Sequence, residues 1–269
     1  MRKQNETMVW QWARIARGGL LVAGLAALLL GGHGVRAASG DLDAEELGHR
    51  GHNPNPELFR PESHPFGLAM DTWAESWWRW ELSIPAAQNP ILTQDFDCST
   101  GQSGPVFFVP PVAVGTQNLT RSCTVPHGKA LAVSLSTVLN DFPCPDPTFQ
   151  PAPGQSLFDF LLAGAMAGNA DIAEIDVTLD GQALNDILDY HVDSDRLFFF
   201  KGDLSLQPVL DSCLTGTFQP AAVDAYFILF KPLSPGHHTI TRRVVTTKGV
   251  VTGPTITELE ILGEHGHGH

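Results

Sequence analysis

The stretch Thr72 to Ile84 carries Trp73, Trp77, Trp78 and Trp80, four of the six tryptophans of the chain. That much indole surface in one short run must be buried by whatever fold forms. Thr72 followed three residues on by Glu75 reads as a capping box, in which the hydroxyl takes an early amide and the carboxylate reaches back. Pro85 closes the run, because the residue before a proline is pushed out of helical geometry. At about 100° per residue, Trp73, Trp77, Trp80 and Ile84 share one arc, whereas Trp78 and Leu82 point to another side. Glu75 and Arg79 form an i,i+4 pair. The expectation is a short helix, apolar on more than one side, packed across the body of the protein.

Residues 1–37 read as a secretory signal. Arg2, Lys3, Arg14 and Arg17 give a positive leader, Gly19 to Leu30 an apolar run, and Val35-Arg36-Ala37 a cleavage site. The apolar run falls short of the roughly 20 residues that span a bilayer, so cleavage is expected and no membrane span afterwards. Removing residues 1–37 takes five of the 16 Lys+Arg and one of the 29 Asp+Glu, leaving a formal charge near −17. Such a surface repels nucleic acid phosphates and anionic lipid, so neither is expected as a partner. Cys98, Cys123, Cys144 and Cys213 suit two disulfides in an exported chain, with three connectivities open. Cys98–Cys123 is expected because its short loop brackets a hairpin, and Cys144–Cys213 because it would tether a proline-rich loop to later strands. No Cys-x-x-Cys spacing is present, which argues against a zinc or thioredoxin-like redox site.

Residues 38–66 lack apolar periodicity and read as an extended flexible arm. The body is then a single domain over 67–262. Pro105 to Pro110, Asn118 to Val125, Ala130 to Leu139, Ile172 to Leu179, Leu197 to Phe200 and Ala225 to Phe230 are strand candidates. Asp180-Gly181 and Lys248-Gly249 are turn signals, the second inside a long C-terminal hairpin from His238 to Leu262. Ser156 to Ala167 is a second helix candidate, weakened by Gly164 and Gly168. The fold class is therefore mainly β: a β-sandwich with an N-terminal amphipathic tryptophan helix and one further short helix.

Several motifs occur in a fixed order. Trp-x-x-x-Trp-Trp-x-Trp (Trp73 to Trp80), Ile84-Pro85 and Asn89-Pro90 precede Cys98 and Gly101-Gln102-Ser103-Gly104-Pro105-Val106. Arg121-Ser122-Cys123-Thr124-Val125-Pro126 with Gly128-Lys129 follows, then Pro232-Leu233-Ser234-Pro235-Gly236 with His238. Over about residues 59–243 this order resembles a largely uncharacterised family of exported bacterial proteins. The resemblance implies export, a disulfide-bearing β-rich domain and a bacterial source, and brings no activity with it. The chain departs from the family pattern at Asp224-Ala225-Tyr226, where Asp-Gly-aromatic is usual, and at Asn140, which is not followed by Glu-Cys.

Chemistry-bearing residues are scattered. Trp78, Glu75 and Arg79 could form a ligand site, an indole platform beside an acid and an anion clamp; core packing and an ordinary helix pair are the competing readings. His191 stands near Asp189, Asp193 and Asp195, a metal or acid–base set or plain turn chemistry. Asp95 and Asp97 read as a solvated loop, and His127, His237 and His238 lie in no ligand motif. His265, His267 and His269, alternating with glycine, could bind Zn, Cu or Ni weakly; no other cofactor is expected. No nucleophile elbow, zinc helix or phosphate loop is present. The expected function is a non-enzymatic periplasmic or extracellular binding or structural module, with a small molecule or glycan as ligand. The alternative is a secreted hydrolase acting on polysaccharide or another envelope polymer.

Overall fold

The computed structural model describes residues 53–264 apart from Gln94 and Val114. Residues 1–37, read from sequence as a secretory signal, most of the arm and the three tail histidines His265, His267 and His269 lie outside that range.

Helix α1 spans Met70–Ser83 and stops at Ile84, ahead of Pro85. Its arc is as the periodicity requires: Trp73, Trp77, Trp80 and Ile84 are all buried. The start of the helix differs from the capping-box reading. Ala69 is the N-cap and no side chain caps it. The Thr72 amide donates to Asp71 Oδ1 at 2.7 Å, and Glu75 faces inward instead of reaching back. The helix begins three residues earlier than the motif suggests because Met70 adds a further buried apolar residue to its face.

Among the described residues, ten strands make two five-stranded sheets. The first has β1 (Val106–Phe108), β3 (Ala130–Asp141), β8 (Gln219–Phe230) and β6 (His191–Asp193) in that order, with β7 (Phe198–Phe200) also on β8. The second runs β2 (Leu119–Val125), β10 (Val251–Ile261), β9 (Gly236–Thr246), β4 (Ile172–Leu179) and β5 (Gln182–Ala183). Pairs β1–β3 and β10–β2 are parallel and the others antiparallel. The β9–β10 hairpin is the one expected from sequence.

Successive side chains of β8 point to opposite faces. Ala221, Val223, Ala225, Phe227 and Leu229 meet the tryptophans of α1 in one apolar cluster. Ile228 and Phe230 face Ile175, Val177, Ile240 and Leu259 of the second sheet in another. Farther along that second face, helix α2 (Leu157–Asn169) packs on β3 and β8. The molecule is thus a sandwich with a helix against each face of its first sheet.

The arm is not loose throughout. Leu58 is fully buried and bridges Phe230, and Asn55 bonds Asn185 and Tyr190. The domain therefore starts near Pro54, earlier than residue 67, because a single buried leucine and one amide anchor a segment that has no periodicity of its own. Both expected disulfides are formed, Cys98–Cys123 and Cys144–Cys213.

The ordered motif residues serve this scaffold. Arg121 donates to the carbonyls of Pro90, Thr93 and Pro111. Gln102 fixes both polar backbone groups of Phe108 and the carbonyl of Cys98. Gly101, at φ +68°, lets the chain pass the edge of Trp80, where an added Cβ would come within 3.2 Å of the indole.

Candidate functional site

The residues singled out on α1 are engaged in holding the helix down. Glu75 Oε2 accepts from Arg79 at 3.3 Å and Oε1 from the Ser194 hydroxyl at 3.2 Å. Ser194 in turn accepts the Val223 amide. Burial raises the Glu75 pKa against the opposing pull of Arg79 and Ser194. Arg79 Nε donates to the Phe199 carbonyl at 3.0 Å, and its guanidinium lies 4.8 Å over the Phe198 ring. Trp78 is half-buried, edge-on to Trp77, and its indole N–H is taken by Thr137 Oγ1 at 2.8 Å. Trp78, Glu75 and Arg79 share one flank of the helix, but their polar atoms are bound to β3, β6–β8 and one another.

The histidines carry more chemistry. His191 opens β6, and its partner is none of the nearby Asp189, Asp193 and Asp195. Nε2 lies 2.8 Å from Oδ2 of Asp224, which is 1% exposed and sits on the adjacent strand. Asn169, at the end of α2, donates to the other oxygen of Asp224 at 2.7 Å and to its carbonyl at 2.9 Å. Ser136 closes the chain by donating to Asn169 Oδ1. Tyr226, opposite both Ser136 and His191 in register, has its ring 4.8 Å from the imidazole. Burial, then the Asp224 charge, raises the Tyr226 pKa. A buried carboxylate facing Nε2 fixes the proton there and leaves the lone pair of the neutral ring on Nδ1. That is the arrangement of an oriented general base or a single metal-ligating imidazole. Ser194, between Asp193 and Asp195, is buried and belongs to the Glu75 network.

A second pair borders a shallow groove. Two adjoining hollows of about 390 and 450 Å³ share Pro56, Glu57, Leu179 and Asp180. Ala183 and Leu184 continue one, and Lys231, Ser234 and His238 the other. His238 Nδ1 is 2.7 Å from Asp180 Oδ2, and Nε2 is 3.3 Å from the Ser234 hydroxyl. The order Ser–His–Asp is that of a nucleophilic triad. However, Nε2 also faces the Ser234 carbonyl at 3.0 Å. A carbonyl only accepts, so the Nε2–H tautomer that bonds it offers the Ser234 hydroxyl no lone pair. Partial burial of Asp180 is outweighed by its bonds from His238 and Thr239, which lower its pKa. The set is a clamp joining the Asp180-Gly181 turn to the Pro232–Gly236 loop.

The remaining candidates are quieter. His127 and His237 form surface pairs with Glu264 and Glu260. Asp97 accepts from Ser99, whose amide and hydroxyl lower its pKa, as a solvated turn would. Two buried acids had no signal in sequence. Glu81, fully buried, has neither carboxylate oxygen hydrogen-bonded, and burial pushes its pKa up to about 7. Asp141, beside the Cys144–Cys213 disulfide, is pushed up to about 8 by burial and then by the charge of Asp211.

Asp224 could have been found as a lone acid inside an apolar strand, since a buried carboxylate needs partners. Nothing in the sequence pairs it with His191, 33 residues away. No known protein-family model, curated protein or solved structure matches the chain.

Proposed function

We propose that this is an exported, non-enzymatic binding or structural module whose ligand, a small molecule or glycan, seats in the groove between Leu179–Leu184 and Lys231–His238. The observation that carries the reading is the engagement of His238, whose ring nitrogens face Asp180 on one side and the carbonyl and hydroxyl of Ser234 on the other, so that it ties the two walls of the groove together. The leader sequence and two disulfides support export, and among the described residues no helix is long and apolar enough to cross a membrane. A thermal-shift and calorimetric screen with glycans and peptidoglycan fragments should find a ligand whose binding Ala183→Trp abolishes by filling the hollow. Turnover of any such ligand that is lost in Ser234→Ala would overturn the reading. Intact mass of protein recovered from periplasm or medium should show a chain beginning at Ala38 or Ser39.

A second reading, a secreted hydrolase acting on polysaccharide or another envelope polymer, is favoured by His191 alone. The buried Asp224 orients that ring and leaves Nδ1 able to accept a proton. Turnover that His191→Gln removes without lowering the melting temperature would establish it in place of the first.

A further inference from the structure

Cys144 lies in the proline-rich loop after β3 and Cys213 in the segment before β8, 69 residues apart. A disulfide that only staples two loops needs no acid beside it. Here Asp141, the last residue of β3 and 4% exposed, places a carboxylate oxygen so that it and both sulfur atoms all lie within 4.8 Å of one another. Asp211 brings a second carboxylate next to Asp141. The partners of this pair are amides and not cations. Gln219 Nε2 donates to Asp141 Oδ2, and the Cys213 amide donates to Asp211 Oδ1 at 2.9 Å. Gln219 also donates to the Cys213 carbonyl at 3.1 Å, while its own oxygen is held by Thr215. The amide that orients Asp141 is therefore itself fixed.

A buried carboxylate beside a half-buried one, with amide partners alone, is a costly arrangement that a cation would relieve. Two sulfurs and a carboxylate oxygen form a donor set suited to a thiophilic divalent ion, zinc above all. We propose that the Cys144–Cys213 disulfide and a divalent metal ion are alternative occupants of one site, with Asp141 the ligand that both states share. A dithiol reductant gives two electrons and two protons to the disulfide, becoming a disulfide itself and leaving two thiols. The metal then displaces the two thiol protons and is held by two thiolates and the Asp141 carboxylate. With metal–sulfur bonds of about 2.3 Å, the sulfurs need to separate only to roughly 3.7 Å, which side-chain rotation supplies. Gln219 stays as the outer partner that aims Asp141.

The test uses Co²⁺ as the probe on purified protein, before and after reduction with a dithiol, with far-UV circular dichroism recorded alongside. The expected result is one Co²⁺ per chain with thiolate-to-metal charge-transfer absorption in the reduced protein only. Bound Co²⁺ should protect Cys144 and Cys213 from alkylation, and Asp141→Asn should weaken binding roughly tenfold or more. Absence of the band in a reduced protein that keeps its dichroism overturns the proposal. Collapse of the dichroism on reduction overturns it equally, since no formed site would then exist. A band that survives in the Cys144→Ser/Cys213→Ser variant assigns the metal to the other cysteine pair. Unchanged affinity in Asp141→Asn removes the carboxylate from the ligand set and with it the shared-site idea.

Discussion

Helices α1 and α2 both lie on β3 and β8, one on each face, and they make contact with opposite residue types. Helix α1 brings Trp73, Trp77 and Trp80 against alanines, valines and Phe227 of the sheet. Helix α2 brings Gly164 and Gly168, so that Asn140 and Val138 of β3 press on its backbone. The indoles hold α1 away from the strands and fill the gap with apolar surface. The glycines let α2 approach closely enough for strand side chains to reach it: Asn140 donates to the Leu161 carbonyl, and Asp224 accepts from Asn169. Bulk yields a mainly apolar contact with the Glu75–Ser194 pair on its flank, and close approach leaves room only for short, hydrogen-bonded polar groups. The oriented His191 belongs to the glycine side for that reason.

The strongest test of the comparison is truncation on the bulky side. Trp77, 1% exposed, should cost about 3–5 kcal/mol when replaced by alanine. Trp78→Ala should cost less than half of that, because the ring is half-buried and forfeits one hydrogen bond worth about 1 kcal/mol. Parallel urea melts decide it. Equal losses would mean that Trp78 is core, and a stable Trp77→Ala would undo the account of α1.

Helix α1 also contains its own fault. Glu81 is fully buried with neither carboxylate oxygen hydrogen-bonded, and burial, opposed by the Asn89 side chain, raises its pKa from 4.5 to about 7. The unfolded chain releases this proton first as pH rises. Stability is therefore unaffected by Glu81 below about pH 4.5, falls between there and about 7, and is level above. The shift corresponds to at most about 3 kcal/mol. Glu81→Gln should be more stable than the parent at pH 8 and close to it at pH 4. A variant no better at pH 8 would show that the carboxylate is hydrated or paired in solution.

These two tests also show where sequence reasoning reaches and where it stops. The α1 arc, the long hairpin and both disulfides were legible, because periodicity, turn residues and loop length act locally. The network around His191 was not. Asp224 lies inside an apolar strand, Asn169 at a helix end and Ser136 beyond a bulge in β3, and only the sheet register brings them together. Leu58 was missed for a similar reason, since one anchoring residue makes no pattern. The capping box failed because Thr72 and Glu75 fit the motif while the burial of Met70 and Glu75 set the actual start of the helix.

On the close-packed side the sensitive change is addition. A Cβ on Gly168 would meet both methyl groups of Val138 at 2.8 and 2.9 Å. Valine is stiff at χ1 and cannot swing aside freely. Overpacking of this kind costs about 1–3 kcal/mol, and the better helix propensity of alanine returns up to about 1 kcal/mol. Gly168→Ala should thus be destabilising by about 1 kcal/mol. A stabilised Gly168→Ala would mean that α2 stands farther from the sheet and that its glycines are incidental.

The smallest effect separates the two helices at their starts. Ser156 is a working N-cap for α2: its hydroxyl accepts the Asp159 amide at 3.0 Å and donates to the Asp159 carboxylate at 2.7 Å. Thr72 occupies no such place in α1, and its hydroxyl meets only Asp71 Oδ1 at 3.4 Å. Removing an N-cap oxygen costs about 1 kcal/mol, so Ser156→Ala should lose that amount. Thr72→Ala should be neutral or slightly stabilising, because alanine is the better helix former and no amide is left unpaired. The first turn of α1 depends on Asp71 instead, whose carboxylate takes the Thr72 amide and lies at the positive end of the helix dipole. Measured side by side, a loss in Thr72→Ala matching that in Ser156→Ala would restore the capping box, and would place the start of α1 three residues later than Met70.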